Sequence, residues 1–135
     1  MNLRVTQRLA HQIAHRLQQS NGGVVLLNGD LGAGKTTLVA AIVRELDPTA
    51  MPSSPSYTLI NQYSDQIFHA DLYRLRTPGQ TAAAFHQAVA NVGLWDLVTA
   101  GNYVFIEWAG DLAIPNAIHI TIQVKENGDR EFIVD

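Results

Sequence analysis

The segment Gly29-Asp30-Leu31-Gly32-Ala33-Gly34-Lys35-Thr36 fits G-x-x-x-x-G-K-[ST], a pattern that demands a glycine-rich loop between a buried strand and a helix. Such a loop curls backbone N–H groups around phosphate oxygens, sends a lysine to the outer phosphates and offers a hydroxyl to Mg²⁺. Glycines are needed because the loop takes positive φ angles and lies too close to the phosphates for a Cβ. The context is present. Val24-Val25-Leu26-Leu27, introduced by Gly22-Gly23, has the length and composition of a strand buried on both faces. Behind the loop, Leu38, Ile42 and Leu46 recur at helical spacing from Thr36 to Leu46, and Pro48 lies just beyond. Lys35 and Thr36 then sit on the first turn, where the helix dipole favours an anion. A nucleoside triphosphate is the expected ligand, held by Asp30, Leu31, Gly32, Ala33, Gly34, Lys35, Thr36 and Thr37.

A chain of 135 residues is expected to form one domain, residues 1–135, large enough for a real core. That leaves little room for a substrate domain or a large lid. The absence of cysteine excludes disulfides, thiolate metal sites and cysteine nucleophiles. The net charge is −3, and the only lysines are Lys35 and Lys125, which argues against a broad lysine-rich nucleic-acid surface. The N-terminal stretch lacks the apolar core of a signal peptide and is punctuated by Arg4, Arg8 and Arg16. Residues 77–95 form the longest uncharged run but are too polar to span a bilayer. A cytoplasmic protein without a membrane segment is expected.

Further along the chain, Thr6 is placed as the cap of a helix running to about Gln19, with Leu9, Ile13 and Leu17 on one face. His11 and His15, four apart on that helix, read as a solvated face rather than a metal pair, since no carboxylate neighbours them in sequence. Residues 57–63 alternate as a strand, residues 64–66 turn, and Ile67 to Asp71 return as a second strand. Ala82, Phe85, Val89 and Val92 mark a helical face stopped by Gly93. Tyr103 to Ile106 is a buried strand ending at Glu107. Residues 117–124 and 130–134 flank Asn127-Gly128, a tight-hairpin signal. The fold class that follows is α/β: a three-layer P-loop NTPase sandwich whose mixed central sheet has parallel core strands and antiparallel additions, flanked by helices.

A P-loop enzyme needs acidic groups to hold Mg²⁺ and organise the attacking water. Glu107 and Asp71 end strand-like runs, where ligands of open α/β sheets collect. Thr36 and Glu107 are the expected Mg²⁺ ligands, and Lys35, Asp71 and Glu107 the expected catalytic residues; which acid organises the water stays open. Ser54-Pro55-Ser56-Tyr57-Thr58 lies where switch loops of such ATPases sit, and is equally readable as a proline-bearing strand entry. Arg74 and Arg76 are read as surface residues by default, with contact to phosphate or a partner as the alternative. Trp108 either packs over the site or plugs the core.

In order, GDLGAGKT (29–36), SPSYTL (54–59), HADLYRL (69–75) and IEW (106–108) resemble the bacterial TsaE (YjeE) ATPases over nearly the whole chain. The resemblance implies a P-loop ATPase of tRNA threonylcarbamoyladenosine (t6A) biosynthesis, an accessory to TsaD and TsaB that reaches tRNA mainly through them. It places the family's loop lysine and threonine on Lys35 and Thr36, and its switch-like segment on Ser54 to Leu59, with Ser56 where threonine is usual. It implies that Asp71 serves ATP hydrolysis and that Glu107, followed by Trp108, lies near Mg²⁺. Three departures stand out. Ala70 replaces phenylalanine, Ala109-Gly110 replaces proline and a polar residue, and residues 77–92 are longer and less acidic than the pattern.

Three functions follow in order of preference: a Mg²⁺-dependent ATPase switch on a tRNA-modifying complex, a small-molecule kinase, and a nucleotide-binding adaptor that hydrolyses nothing. A kinase usually carries a lid rich in arginine, and no such cluster is visible. No N-K-x-D guanine-reading motif occurs, which disfavours GTP.

Overall fold

The computed structural model describes residues 3–30, 32–51 and 59–135. Its centre is strand β1 (Gly23–Asn28), whose four middle residues are all buried. Val25 and Leu27 point to one face of the sheet and Val24 and Leu26 to the other, each into its own core. This is why the sequence shows a continuous apolar run rather than alternation.

Around β1 the sheet is completed by β2 (Ile60–Ser64), β3 (Ile67–Asp71), β4 (Tyr103–Glu107), β5 (Ile118–Val124) and β6 (Arg130–Val134). The strand order is β2-β3-β4-β1-β5-β6. The four inner strands run parallel, while β2 and β6 add antiparallel edges. Helices α1 (Leu3–Gln19) and α2 (Lys35–Leu46) cover one face through Ala10, Ile13, Leu17, Leu38, Val39 and Ile42. Helices α3 (Ala82–Asn91) and α4 (Leu94–Leu97) cover the other through Phe85, Val89 and Leu94. The arrangement is the P-loop NTPase-like sandwich, with helices on both faces of a largely parallel sheet. No described helix is long and apolar enough to cross a membrane.

One local expectation is corrected, and one is borne out in detail. Thr6 does not cap α1: the helix begins at Leu3, and Thr6 lies inside it, buried in the same stripe as Ala10, Ile13 and Leu17. The i, i+3, i+4 burial pattern extends a turn further back than the first leucine suggests, and it overrides the capping preference of threonine. Asn127-Gly128 turns the expected hairpin, through a three-residue loop, 126–128. Lys125 N–H donates to Asp129 O at 2.7 Å and Gly128 N–H to Lys125 O at 2.9 Å, with Gly128 at φ +87°. This is the turn in which a glycine relieves a one-residue bulge. The pairing Val124↔Arg130 sets that loop length.

The helix face read from Phe85 and Val89 is buried as expected, and Thr81 caps it by accepting from Ala84 N–H at 3.1 Å. Gly93 takes φ +83° and leads directly into α4, which the sequence pattern does not reveal. On α1, His11 and His15 face solvent, but α2 brings Glu45 within 3.3 Å of His11 Nδ1. Among the described residues no three acidic or histidine side chains cluster as a metal site.

Candidate functional site

The carboxyl ends of the inner strands define the site. In the sheet register, Leu27 pairs with Glu107 and Glu107 with Asp71. The end of β1, which feeds the loop, and the acids ending β4 and β3 therefore stand side by side at one level. Ligands of open parallel sheets collect at such strand ends.

Two glycines make the loop possible. A Cβ on Gly29 would meet the Ile122 carbonyl of β5 at 2.8 Å, so any side chain there would push the loop off the sheet. Gly34, at φ +111°, is the N-cap of α2 and supplies no side-chain cap. The first-turn N–H groups are thus left to whatever enters the cleft.

Lys35 is only 5% exposed, and its ammonium donates to the carbonyls of Gly29 and of Asp30, the latter at 3.2 Å. Nζ also lies 4.3 Å from the centroid of the Trp108 ring, a cation–π contact. Trp108 takes a left-handed backbone (φ +61°), and its ring lies 4.9 Å from that of Tyr73. Its carbonyl accepts from Arg76 Nη2 at 2.9 Å, and the Arg76 guanidinium rests 3.5 Å over the Phe85 ring. Trp108 therefore sits at the site, and Arg76 braces it rather than facing solvent by default.

Opposite the lysine, Glu107 is 3% exposed. Its Oε2 accepts from the Thr36 hydroxyl at 3.1 Å and from His69 Nε2 at 2.5 Å. Burial alone would push this carboxyl up. The hydrogen bond and charge of His69, the Thr36 hydroxyl and the Lys35 charge outweigh it and hold the group below its ordinary value. Tyr63 responds in the opposite sense: burial, then the Glu107 charge, push its hydroxyl up. Asp71 is exposed, and its Oδ1 accepts from Tyr73 N–H at 3.1 Å, opening the 3-10 turn Tyr73–Leu75.

Lys35, Thr36, Thr37, Asp71, Glu107 and Trp108, with Gly32 and Gly34, line one cleft of about 250 Å³. Asp30 meets it through the Lys35 contact, and Ala33 is packed beneath the loop in the α1–α2 core. Leu31 and residues 54–58, the possible switch, lie outside the described residues. Two residues not picked out in the sequence belong to this site. His69 stands 38 positions from Glu107 and meets it only because β3 and β4 pair in register. Arg130, on the edge strand β6, reaches the loop carbonyls of Ala33 and Gly32.

The Thr36 hydroxyl and the ionised Glu107 carboxylate offer two hard oxygens that already converge. They fit a small hard cation that keeps most of its shell for water and phosphate, as Mg²⁺ does.

The depressed Glu107 group predicts acid sensitivity in metal-free protein. Its contribution to stability is complete above the ordinary value of 4.5 and is lost as pH falls through the lower folded value. Melting curves with chelator should fall more steeply below about pH 4.5 for the natural protein than for Glu107→Gln. Equal slopes would contradict the buried, charged carboxylate.

Residues 1–132 match the family model described as "Threonylcarbamoyl adenosine biosynthesis protein TsaE". The chain belongs to the TsaE family. Curated relatives named tRNA threonylcarbamoyladenosine biosynthesis protein TsaE include one from Synechocystis, 42% identical over 56% of this chain and 49% of the relative. That of Haemophilus influenzae is 33% identical over 78% of this chain and 65% of the relative. That of Rickettsia felis is 31% identical over 93% and 71%, respectively. The chain thus matches 49% and 65% of the length of the first two. Within this TsaE-family chain, the departures from the pattern have structural counterparts. Ala70 and Ala109 are fully packed in the α3-side core. Gly110, at φ +62°, leaves open the space that Arg76 occupies, since a Cβ there would lie 2.1 Å from Nη2.

Proposed function

We propose that this chain is a Mg²⁺-dependent ATPase that acts as an accessory switch on a TsaD–TsaB complex. That complex would form threonylcarbamoyl at N6 of adenosine 37 in tRNAs reading codons that begin with A. The observation that carries the hydrolytic reading is the convergence of the Thr36 hydroxyl and Glu107 carboxylate, 3.1 Å apart, within the cleft shared by Lys35 and Asp71. Membership of the TsaE family supports the tRNA side, and a cytoplasmic location is the one this reading expects.

In this reading the α2 N-terminus and the Gly34 amide bind phosphate oxygens, and Lys35 swings its charge from the Gly29 and Asp30 carbonyls to the outer phosphates. Thr36 and Glu107 would hold Mg²⁺, which would supply positive charge to offset that of the phosphates. His69 fixes the Glu107 carboxylate and uses the same oxygen as Thr36, which leaves Asp71 as the acid to orient water. In-line attack breaks the bond from the γ-phosphorus to the bridging oxygen, giving ADP, phosphate and a proton.

The test is phosphate release from ATP with and without Mg²⁺, alone and with TsaD and TsaB. Slow, Mg²⁺-dependent release that changes with the partners supports the switch. Label transferred to a metabolite would make the protein a kinase, and binding without release under every condition would make it an adaptor.

A further inference from the structure

The edge strand β6 begins at Arg130, whose guanidinium is shared between the hairpin tip and the glycine-rich loop. Nε donates to Ala33 O at 2.9 Å, Nη2 to Gly32 O at 3.2 Å and Nη1 to Gly128 O at 3.3 Å. Two successive loop peptides are therefore held by one planar fork from 97 and 98 residues away.

The consequence follows from peptide geometry. In a trans peptide the carbonyl and the next N–H point in opposite directions. Holding Ala33 O toward β6 turns the Gly34 N–H away from it, and Gly34 lines the cleft while Arg130 does not. Holding Gly32 O likewise turns the Ala33 N–H inward, where it closes a turn onto Asp30 O at 3.0 Å. Gly34, at φ +111° with no Cβ, has little intrinsic preference for this orientation. Something outside the loop has to set it. We propose that Arg130 is a positioning residue that presets the phosphate loop, aiming the Gly34 amide at the phosphates before the nucleotide arrives. The role rests on the triphosphate-binding reading above and names the residue that organises its cradle. It uses the fork geometry of arginine, which a lysine cannot reproduce with a single ammonium. It also makes the β5–β6 hairpin a mechanical extension of the nucleotide site.

The experiment compares the full chain with Arg130→Lys, Arg130→Ala and Lys35→Ala. It measures ATP affinity by calorimetry, KM and kcat, and melting temperature without nucleotide. Arg130→Ala should weaken ATP binding and raise KM by roughly tenfold or more, with kcat at saturation changed much less. Arg130→Lys, which keeps the charge and the hairpin anchor but loses the fork, should fall well short of the natural affinity at nearly natural melting temperature. Natural ATP affinity in both arginine variants, with Lys35→Ala impaired, would overturn the role of Arg130 and leave the nucleotide site standing. A lower melting temperature with unchanged affinity would reduce Arg130 to a hairpin brace and overturn it as well. Failure of the natural protein to bind ATP would overturn the nucleotide reading itself, and this inference with it.

Discussion

Lys35→Ala is expected to weaken ATP binding by about ten- to a hundredfold, the range for losing charge-assisted hydrogen bonds in a shielded site. The ammonium is buried and already anchored by the Gly29 and Asp30 carbonyls, with the Trp108 ring beside it. Its removal deletes the charge aimed at the phosphates. The ligand-free fold should suffer less, because the sheet and both cores lie beneath the loop rather than depending on it. Titration of ATP into each protein, with melting curves as a control for folding, reads both effects. Equal affinities would remove the lysine from its role.

The second large effect is expected at Glu107. Glu107→Gln should lower Mg²⁺-dependent turnover by about a hundredfold or more, with far less effect on nucleotide affinity measured in chelator. The glutamine keeps the shape and can still accept from Thr36 and His69, so the change isolates the negative charge. Glu107→Ala is a harsher variant, since it also strands the buried His69 imidazole. Hydrolysis at the natural rate in Glu107→Gln would sink the metal-binding role assigned to the carboxylate.

Much of this site is written locally in the chain. The loop needs Gly34 for its positive φ, and β1 needs four consecutive apolar residues because both of its faces are covered, whereas the need for Gly29 comes from β5. Glu107 and Asp71 are recognisable because each ends a strand-like run, and strand ends are where such a sheet presents its chemistry. What brings them together is the register of β3 on β4, and no local pattern encodes it. His69 is hidden for the same reason. A histidine inside an otherwise apolar strand reads as a core residue until its neighbour strand is known to end in a buried acid. Arg130 is hidden by distance along the chain, and its partners are backbone carbonyls that leave no mark in composition. Thr6 shows local preference losing to packing, whereas the Asn127-Gly128 loop follows its local signal. The amphipathic stripe of α1 extends through the capping residue, and β5–β6 pairing fixes the turn length.

In the proposed function, ATP hydrolysis at this cleft sustains repeated rounds of tRNA threonylcarbamoylation. The most direct measurement is a reconstituted reaction with excess tRNA, TsaD and TsaB, counting modified tRNA per complex over time. The natural protein should support many rounds, and Asp71→Ala, which leaves the loop and the Glu107 pair in place, should stall near the first. Modification that proceeds through many rounds with Asp71→Ala, or with no TsaE-family protein present, would contradict it.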